Sequence, residues 1–376
     1  MSHPLRIVQW TTGNVARKSV RAVLARPDLE LVGCYAWSAS KVGQDVGALC
    51  RLDVETGIKA TNDVDSLLAL HPDCVIYSPL HFDADEVSRI LEAGVNVVTS
   101  AEFLTGRSRG EDTRARVQAA AEQGGVSIFG SGMNPGFAQL LGAVATGVCD
   151  EVRHVRAVES VDVSLFASDS NQDELGWGRP MGDPGHADAV RAAVSVFQDG
   201  VEVLADLMGV ELDDVRCHVA FAAAVNDLDL PGRPIAAGTV AGIDLRYVGI
   251  IDGVEVLELH QRWVMSGQLQ PPMPAEHGYR IEVDGSPKIT LTLGIMPDQP
   301  LETLTVEDMH GIGMTITGMP VVHAIPGVVA ARPGIVTYAD IPVPASPFTS
   351  KLGRRTQPIA SGDLGAAIEG LTTNNE

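Results

Sequence analysis

Short, almost wholly apolar runs alternate with helical segments through the first 150 residues, and this alternation constrains the fold more than any other feature. Residues 5–10, 29–36, 73–77, 96–99 and 126–129 read as strands. Residues 15–24, 63–70, 83–93, 110–123 and 136–148 read as helices. Parallel strands need long crossovers, and helices supply them in a right-handed sense. The runs lack a polar face, as strands covered on both sides do. The pattern predicts a Rossmann-type parallel sheet over residues 1–150.

The pattern changes after residue 150. Residues 152–165 alternate like a half-exposed strand. Residues 186–208 place Val190, Val194, Phe197, Val201 and Leu204 at helical spacing, which predicts one amphipathic helix. Strand-like runs follow at 216–225, 236–251, 255–265, 279–283 and 288–295. Asp252-Gly253 and Asp284-Gly285 are each expected to turn a hairpin. An α+β domain with a mostly antiparallel sheet is therefore expected over 151–308. Residues 309–325 suggest a helix interrupted by glycines and Pro320. Residues 309–345 are read as a segment returning to the Rossmann domain, and 346–376 as a loop-rich tail. No internal repeat is visible.

Composition narrows the function classes. The formal charge is −21, and no basic run occurs. Such a chain is repelled by phosphate backbones and anionic lipid, so neither nucleic acid nor a membrane surface is an expected partner. No membrane span and no leader are expected. Five cysteines without C-x-x-C spacing suggest free thiols in a reducing compartment, and a cytoplasmic protein. The histidines show no metal-ligand spacing, and no metal is expected.

A dinucleotide fingerprint belongs where the first strand meets the first helix. Here the turn reads Thr11-Thr12-Gly13-Asn14-Val15-Ala16: the central glycine is present, the first is threonine and the third alanine. Thr12, Gly13, Asn14 and Val15 are candidates for holding a pyrophosphate at the helix N-terminus. A plain strand–turn–helix is the structural alternative. The second strand ends without the acid that usually grips an NAD ribose. Ser38, Ser40 and Lys41 stand there instead, and suit the 2′-phosphate of NADP; NAD is the alternative. Ser78 and Pro79, past the third strand, lie on the same sheet edge.

Three runs taken in order carry a resemblance: Gln9 to Val15, Asn96 to Glu102, and Gly132 to Phe137. Stretches at 174–180, 237–242, 261–263, 324–327 and 332–335 extend it. The chain resembles the dihydrodipicolinate reductase-like superfamily, in particular the branch of 2,4-diaminopentanoate dehydrogenase and the native amine dehydrogenases. The basic, His-rich catalytic stretch of true dihydrodipicolinate reductases is missing. The resemblance implies a homodimeric NAD(P)H-dependent enzyme that reduces the imine of a ketone or aldehyde with ammonia, and runs in reverse on an amine. It implies that Glu102, just past the fourth strand, holds ammonia or the iminium. It also implies that Asn134 touches the nicotinamide end.

Phe137, Phe166, Leu175, Trp177, Met181, His260 and Trp263 are candidates for an apolar substrate pocket, each with a core position as the alternative. For Glu102 the structural alternative is an acid near a helix N-cap or a surface ion pair; for Asn134 it is helix capping. Two other functions stay open: a carbonyl reductase or alcohol dehydrogenase that uses no ammonia, and a catalytically silent NADP-binding sensor in which Thr11 crowds the pyrophosphate.

Overall fold

Six parallel strands form the first sheet: β1 (Leu5–Trp10), β2 (Leu29–Tyr35), β3 (Cys74–Tyr77), β4 (Asn96–Thr99), β5 (Ser127–Gly130) and a late arrival, β13 (Gly334–Val336). The computed structural model describes residues 3–276, 278–297, 300 and 305–346. The sheet order is β13-β5-β4-β3-β1-β2, so the chain reverses its direction of travel between β1 and β3. Open α/β sheets bind ligands at such a switch point.

The strands bury both faces. Ile7, Ile76, Val98 and Phe129 pack with α1 (Asn14–Leu24) and α9 (Val306–Val329) on one side. Val8, Val75, Val97 and Ile128 pack with α3 (Val64–Leu68), α4 (Ala84–Glu92) and α5 (Glu111–Gly124) on the other. A single turn of helix, α2 (Val46–Leu49), follows β2. The cysteines are free thiols, and burial pushes Cys34 up to about 12 and Cys50 to about 11.

α9 is one continuous helix with a Thr305/Asp308 capping box, despite Pro320 and Pro326 within it. Its glycines are contact points. A β-carbon at Gly318 would lie 3.2 Å from Val15 Cγ1, so glycine is what lets α9 touch α1. α9 also carries an uncharged run long enough to cross a membrane, which the sequence reading missed. Val321, Val322, Ile325 and Val328 of that run are fully buried in the first core.

After α6 (Phe137–Thr146), a seven-stranded sheet takes over in the order β10-β7-β8-β9-β6-β11-β12. Its strands are β6 (Glu151–Asp162), β7 (Asp214–Ala224), β8 (Val240–Ile251), β9 (Val254–Val264), β10 (Leu269–Gln270), β11 (Gly278–Ser286) and β12 (Ile289–Leu293). All pairings are antiparallel except β6 with β9. The chain is thus an α/β Rossmann-type sheet joined to an α+β part, as expected. One face packs on α8 (Val196–Met208) through Phe197, Val201 and Leu204.

Of three local expectations, two need correction and one holds. The predicted helix over 186–208 is two, α7 (His186–Ala193) and α8, broken at Val194 and Ser195. Asp252-Gly253 does turn a hairpin, with positive φ at both residues (51° and 77°), as a type I′ turn demands. Asp284-Gly285 does not. β11 runs through it, Asp284 pairing with His154 and Gly285 with Val152 across a register shift that leaves Arg153 of β6 unpaired in the ladder, and the chain reverses after Ser286. Asp284 is spent instead on Arg153 and Lys288. Met1–Pro344 form one unit and Ala345–Glu376 a second. The tail expected over 346–376 lies, from 347 on, outside the described residues.

Candidate active site

The C-terminal ends of β1 to β5 all open on one edge, and nearly every polar candidate from the sequence lies along it. Thr11 has φ +77°, a conformation for which glycine is the natural residue. Its side chain is turned inward and its hydroxyl donates to the Ser78 carbonyl at 2.9 Å. The threonine therefore ties β1 to β3 at the switch point instead of crowding the turn. No atom lies within 4 Å of where a Gly13 β-carbon would sit, so the turn is open above α1.

Cations converge on that turn. Lys41 Nζ donates to Thr12 Oγ1 at 2.9 Å, which folds the loop after β2 against the β1–α1 turn. Ser38 and Ser40 bond each other through their hydroxyls at 2.8 Å. Arg17, which sequence reading missed, donates to Asn14 Oδ1 at 3.3 Å, and its Nε is buried without a partner. The Ser78 hydroxyl is likewise buried without a partner, beside Pro79. The first turn of α1 holds no acid and no side-chain cap, so its N–H groups stay available. An open glycine, a bare helix N-terminus, two cations and unspent polar atoms fit the phosphate groups of a dinucleotide. Val15 turns away to pack against Gly318.

Glu102 follows β4 with φ +38°, again left-handed. Its carboxylate meets Arg109 Nη2 at 2.6 Å, and the same guanidinium donates twice to the Glu102 carbonyl at 3.1 Å. Both side chains are about a third exposed (32% and 28%). His81 Nδ1 lies 3.9 Å from Glu102, and His81 Nε2 4.0 Å from Glu174. The loop carrying Arg109 is fixed from below by fully buried Asp199 of α8. That carboxylate accepts the N–H groups of Leu104, Thr105, Gly106 and Ser108.

Two adjoining cavities share Glu102. One, about 690 Å³, runs from Ser100 past Asn134 and Phe166 to Met309–Thr317 of α9. The other, about 270 Å³, is walled by Leu80, Leu175, Val194, Val196 and Trp263. Glu159 of β6 lines both. Its Oε2 accepts from Asn134 Nδ2 at 2.7 Å and its Oε1 from Trp263 Nε1 at 2.9 Å. Burial holds its carboxyl above the ordinary 4.5, against the pull of those two donors.

Of the pocket candidates, Phe166, Leu175 and Trp263 line a cavity, and Phe166 stacks on His310 with ring centroids 4.5 Å apart. The other four do not. Trp177 is a core residue whose indole donates to Gln172 at 2.9 Å. Phe137 packs at the edge of the first core, and Met181 is 39% exposed. His260 is three residues from Trp263 on β9, so strand alternation turns it to the opposite face. There it lies 2.8 Å from Asp244 and also contacts Arg156. Glu159, Arg109, His81 and Arg17 gave no sequence signal, being ordinary charged residues in unremarkable patterns. Among the described residues no group of His, Cys, Asp and Glu is placed to hold a metal ion.

Comparison with known proteins places this geometry in context. Residues 138–353 match the family described as the 2,4-diaminopentanoate dehydrogenase C-terminal domain. An amine dehydrogenase of Streptomyces virginiae is 29% identical over 367 residues, covering 93% of this chain and 98% of that protein. A 2,4-diaminopentanoate dehydrogenase of Acetoanaerobium sticklandii is 28% identical, covering 69% of this chain and 70% of that one. The solved structure of an amine dehydrogenase from Mycobacterium smegmatis shares the fold. Its TM-score is 0.74 at 22% identity, over 91% of this chain and 97% of that chain.

Proposed function

The chain belongs to the 2,4-diaminopentanoate dehydrogenase C-terminal domain family, and from that premise we propose that it is an NADP-dependent amine dehydrogenase acting through Glu102. The reaction is reductive amination of a ketone or aldehyde with ammonia, and oxidative deamination in reverse. One observation carries the reading. A carboxylate held by left-handed backbone at the C-terminal edge of β4 opens into the cavity that runs past Asn134.

The open turn at Gly13 and the bare start of α1 would hold the cofactor's diphosphate, with Arg17 balancing its charge. A lysine and two serines past β2, with no acid, favour the 2′-phosphate and therefore NADP over NAD. Ser78, Pro79 and Asn134 would lie toward the nicotinamide end of the cofactor. When bound, the nicotinamide supplies or accepts hydride. Glu102 attracts ammonium, orients the nitrogen toward the carbonyl carbon and stabilises the cationic iminium. It also accepts the proton that ammonium gives up on attack and returns it to the hydroxyl, so that the C–O bond breaks and water leaves as the iminium forms. Arg109 clamps both the carbonyl and the carboxylate of Glu102, which fixes its direction. Leu175, Phe166 and Trp263 form apolar walls that exclude water from the imine.

Labour divides between the two sheets in this reading: residues 1–150 with 309–345 hold cofactor, and 151–308 shape the substrate pocket. The homodimer belongs to the same proposal and is checked by sedimentation of the purified chain. The decisive test mixes the chain with NADPH or NADH and a panel of ketones, with and without ammonium, and follows the absorbance of the reduced cofactor. Ammonium-dependent oxidation is expected. Equal rates without ammonium would make it a carbonyl reductase, and cofactor binding without turnover a sensor.

A further inference from the structure

Reductive amination has a proton balance that Glu102 alone does not close. Ketone, ammonium, reduced coenzyme and one proton give the alkylammonium, oxidised coenzyme and water. The proton that Glu102 takes from ammonium returns to the departing hydroxyl within the same turnover. A further proton must enter during amination and leave during deamination, so Glu102 needs a partner that can pass protons on.

Among the described residues, Arg109 and His81 are the basic side chains that pair with the Glu102 carboxylate. A guanidinium keeps its protons in a protein, so Arg109 fixes the carboxylate without exchanging with it. An imidazole takes up and releases protons near neutral pH, and its two nitrogens can serve two partners. His81 Nδ1 lies 3.9 Å from Glu102 Oε2, and its Nε2 lies 4.0 Å from Glu174 Oε1. Both gaps are longer than a hydrogen bond; one water, or a small swing of the ring, spans each. The Glu102 side chain is 32% exposed and that of Glu174 55%, so the three groups step outward from cavity to solvent.

The arrangement follows from the fold. β3 and β4 are parallel neighbours, so His81 and Glu102, each a few residues past its strand, reach the same edge. Glu174 arrives from the other part of the chain on a 3-10 turn, Ser170–Leu175. A small cavity of about 130 Å³ adjoins all three, and Ala193 and Ser195, where α7 gives way to α8, help to close it. The charged and titratable groups around it are these three and Arg109. Such a space holds a few waters. A substrate seated against Leu175, Val196 and Trp263 would cover the apolar side of the site and leave this polar side to water.

We propose that His81 relays protons between Glu102 and Glu174, so that the carboxylate beside the substrate exchanges with solvent through the imidazole. The relay rests on the amine dehydrogenase reading above. In deamination the substrate ammonium gives an N–H proton to Glu102. Hydride then leaves the amine carbon for the coenzyme as the C=N bond of the iminium forms, and water converts the iminium to ketone and ammonium. Glu102 passes its proton to His81 Nδ1, and Nε2 releases one to Glu174 and water; exchange with water resets the tautomer. Amination runs the same transfers inward. His81 thus acts through Glu102 rather than on the substrate.

The test follows amine oxidation with NADP or NAD from about pH 6 to pH 10, at several buffer concentrations, for the unaltered chain, His81→Ala, His81→Gln and Glu174→Gln. Both His81 variants should lose about tenfold or more in kcat, with KM within about twofold, as expected for loss of a proton-transfer group. Added imidazole should restore kcat in His81→Ala in proportion to its concentration. Glu174→Gln should lose less, and its kcat should rise with buffer concentration. A kcat within twofold of the unaltered chain at every pH in both His81 variants would overturn the relay and leave the dehydrogenase reading intact. So would a loss that neither imidazole nor buffer relieves. If the unaltered chain oxidises no amine, the dehydrogenase reading fails, and NMR titration of the His81 ring decides for the bridge. A titration midpoint lowered in both Glu102→Gln and Glu174→Gln would support it, and a midpoint unmoved in either would overturn it.

Discussion

Replacing Glu102 should separate catalysis from stability, because its carboxylate and its backbone are used differently. The left-handed backbone at φ +38° costs an L-residue about 1–2 kcal/mol. Its ion pair with Arg109 returns little, about 0–1 kcal/mol, since both partners are about a third exposed. Glu102→Ala keeps the strain and loses the pair. Glu102→Gly relieves the strain at an unfolded-state entropy cost of about 0.5–1 kcal/mol. The glycine variant should therefore be the more stable of the two by roughly 0.5–1 kcal/mol. That is about 1 °C in melting temperature for a chain of this size. Rate behaves otherwise. Both variants, and the isosteric Glu102→Gln, should lose about 10²–10⁴ in amination rate, the usual contribution of a positioned acid–base group. That is about 3–5 kcal/mol of barrier. Cofactor affinity should stay within about threefold, because the dinucleotide groups lie on other loops. The assay follows reduced-cofactor absorbance with a ketone and ammonium, beside calorimetry with the cofactor alone. A Gln variant that kept its rate within threefold would remove Glu102 from the chemistry. A glycine variant less stable than the alanine one would refute the strain argument.

Lys41→Gln should raise KM for NADPH by about tenfold while barely moving NADH, as expected for loss of one charge-assisted phosphate contact; equal shifts for both would place Lys41 at the diphosphate instead. Asp199→Ala strips the acceptor from three buried N–H groups and one half-buried one, and should cost about 3 kcal/mol or more in denaturant unfolding; a loss below 1 kcal/mol would mean water replaces it. Thr11→Val keeps the shape but loses the bond to the Ser78 carbonyl, so stability should fall by about 1–2 kcal/mol, read from the shift in denaturant midpoint. For Glu159, burial raises the folded carboxyl above 4.5, so the folded chain binds more protons than the unfolded one just above that pH. Stability from this group is full below the ordinary glutamate range and falls as pH rises through the raised value. Glu159→Gln should therefore gain on the unaltered chain between pH 4 and pH 8; a gain independent of pH would point to packing.

The parallel sheet was legible because its strands are wrapped on both faces, which forces unbroken apolar runs that no other element needs at that spacing. The type I′ turn at Asp252-Gly253 was legible for a comparable reason, since two adjacent positive φ angles leave few residue choices. Elsewhere local pattern misled. Val194 kept the helical spacing across 186–208 although the chain breaks there, and Asp284-Gly285 carried turn chemistry that a bulge and two ion pairs consumed. β13 is three residues long, too short for any periodicity, and exists because β5 offers an unpaired edge.

The sequence by itself determined the open β1–α1 turn, the edge on which the candidate site lies and the placing of Glu102 just past β4, since each is fixed by neighbours within one βαβ unit. Tertiary structure alone decided the company those groups keep. Arg109 reaches Glu102 because Asp199, nearly a hundred residues on, grips the intervening loop. Glu159 faces the cavity, and His260 does not, because strand pairing set which parity of each strand turns inward. Contacts between residues distant in the chain depend on closing long loops and choosing a register, and no local propensity encodes either.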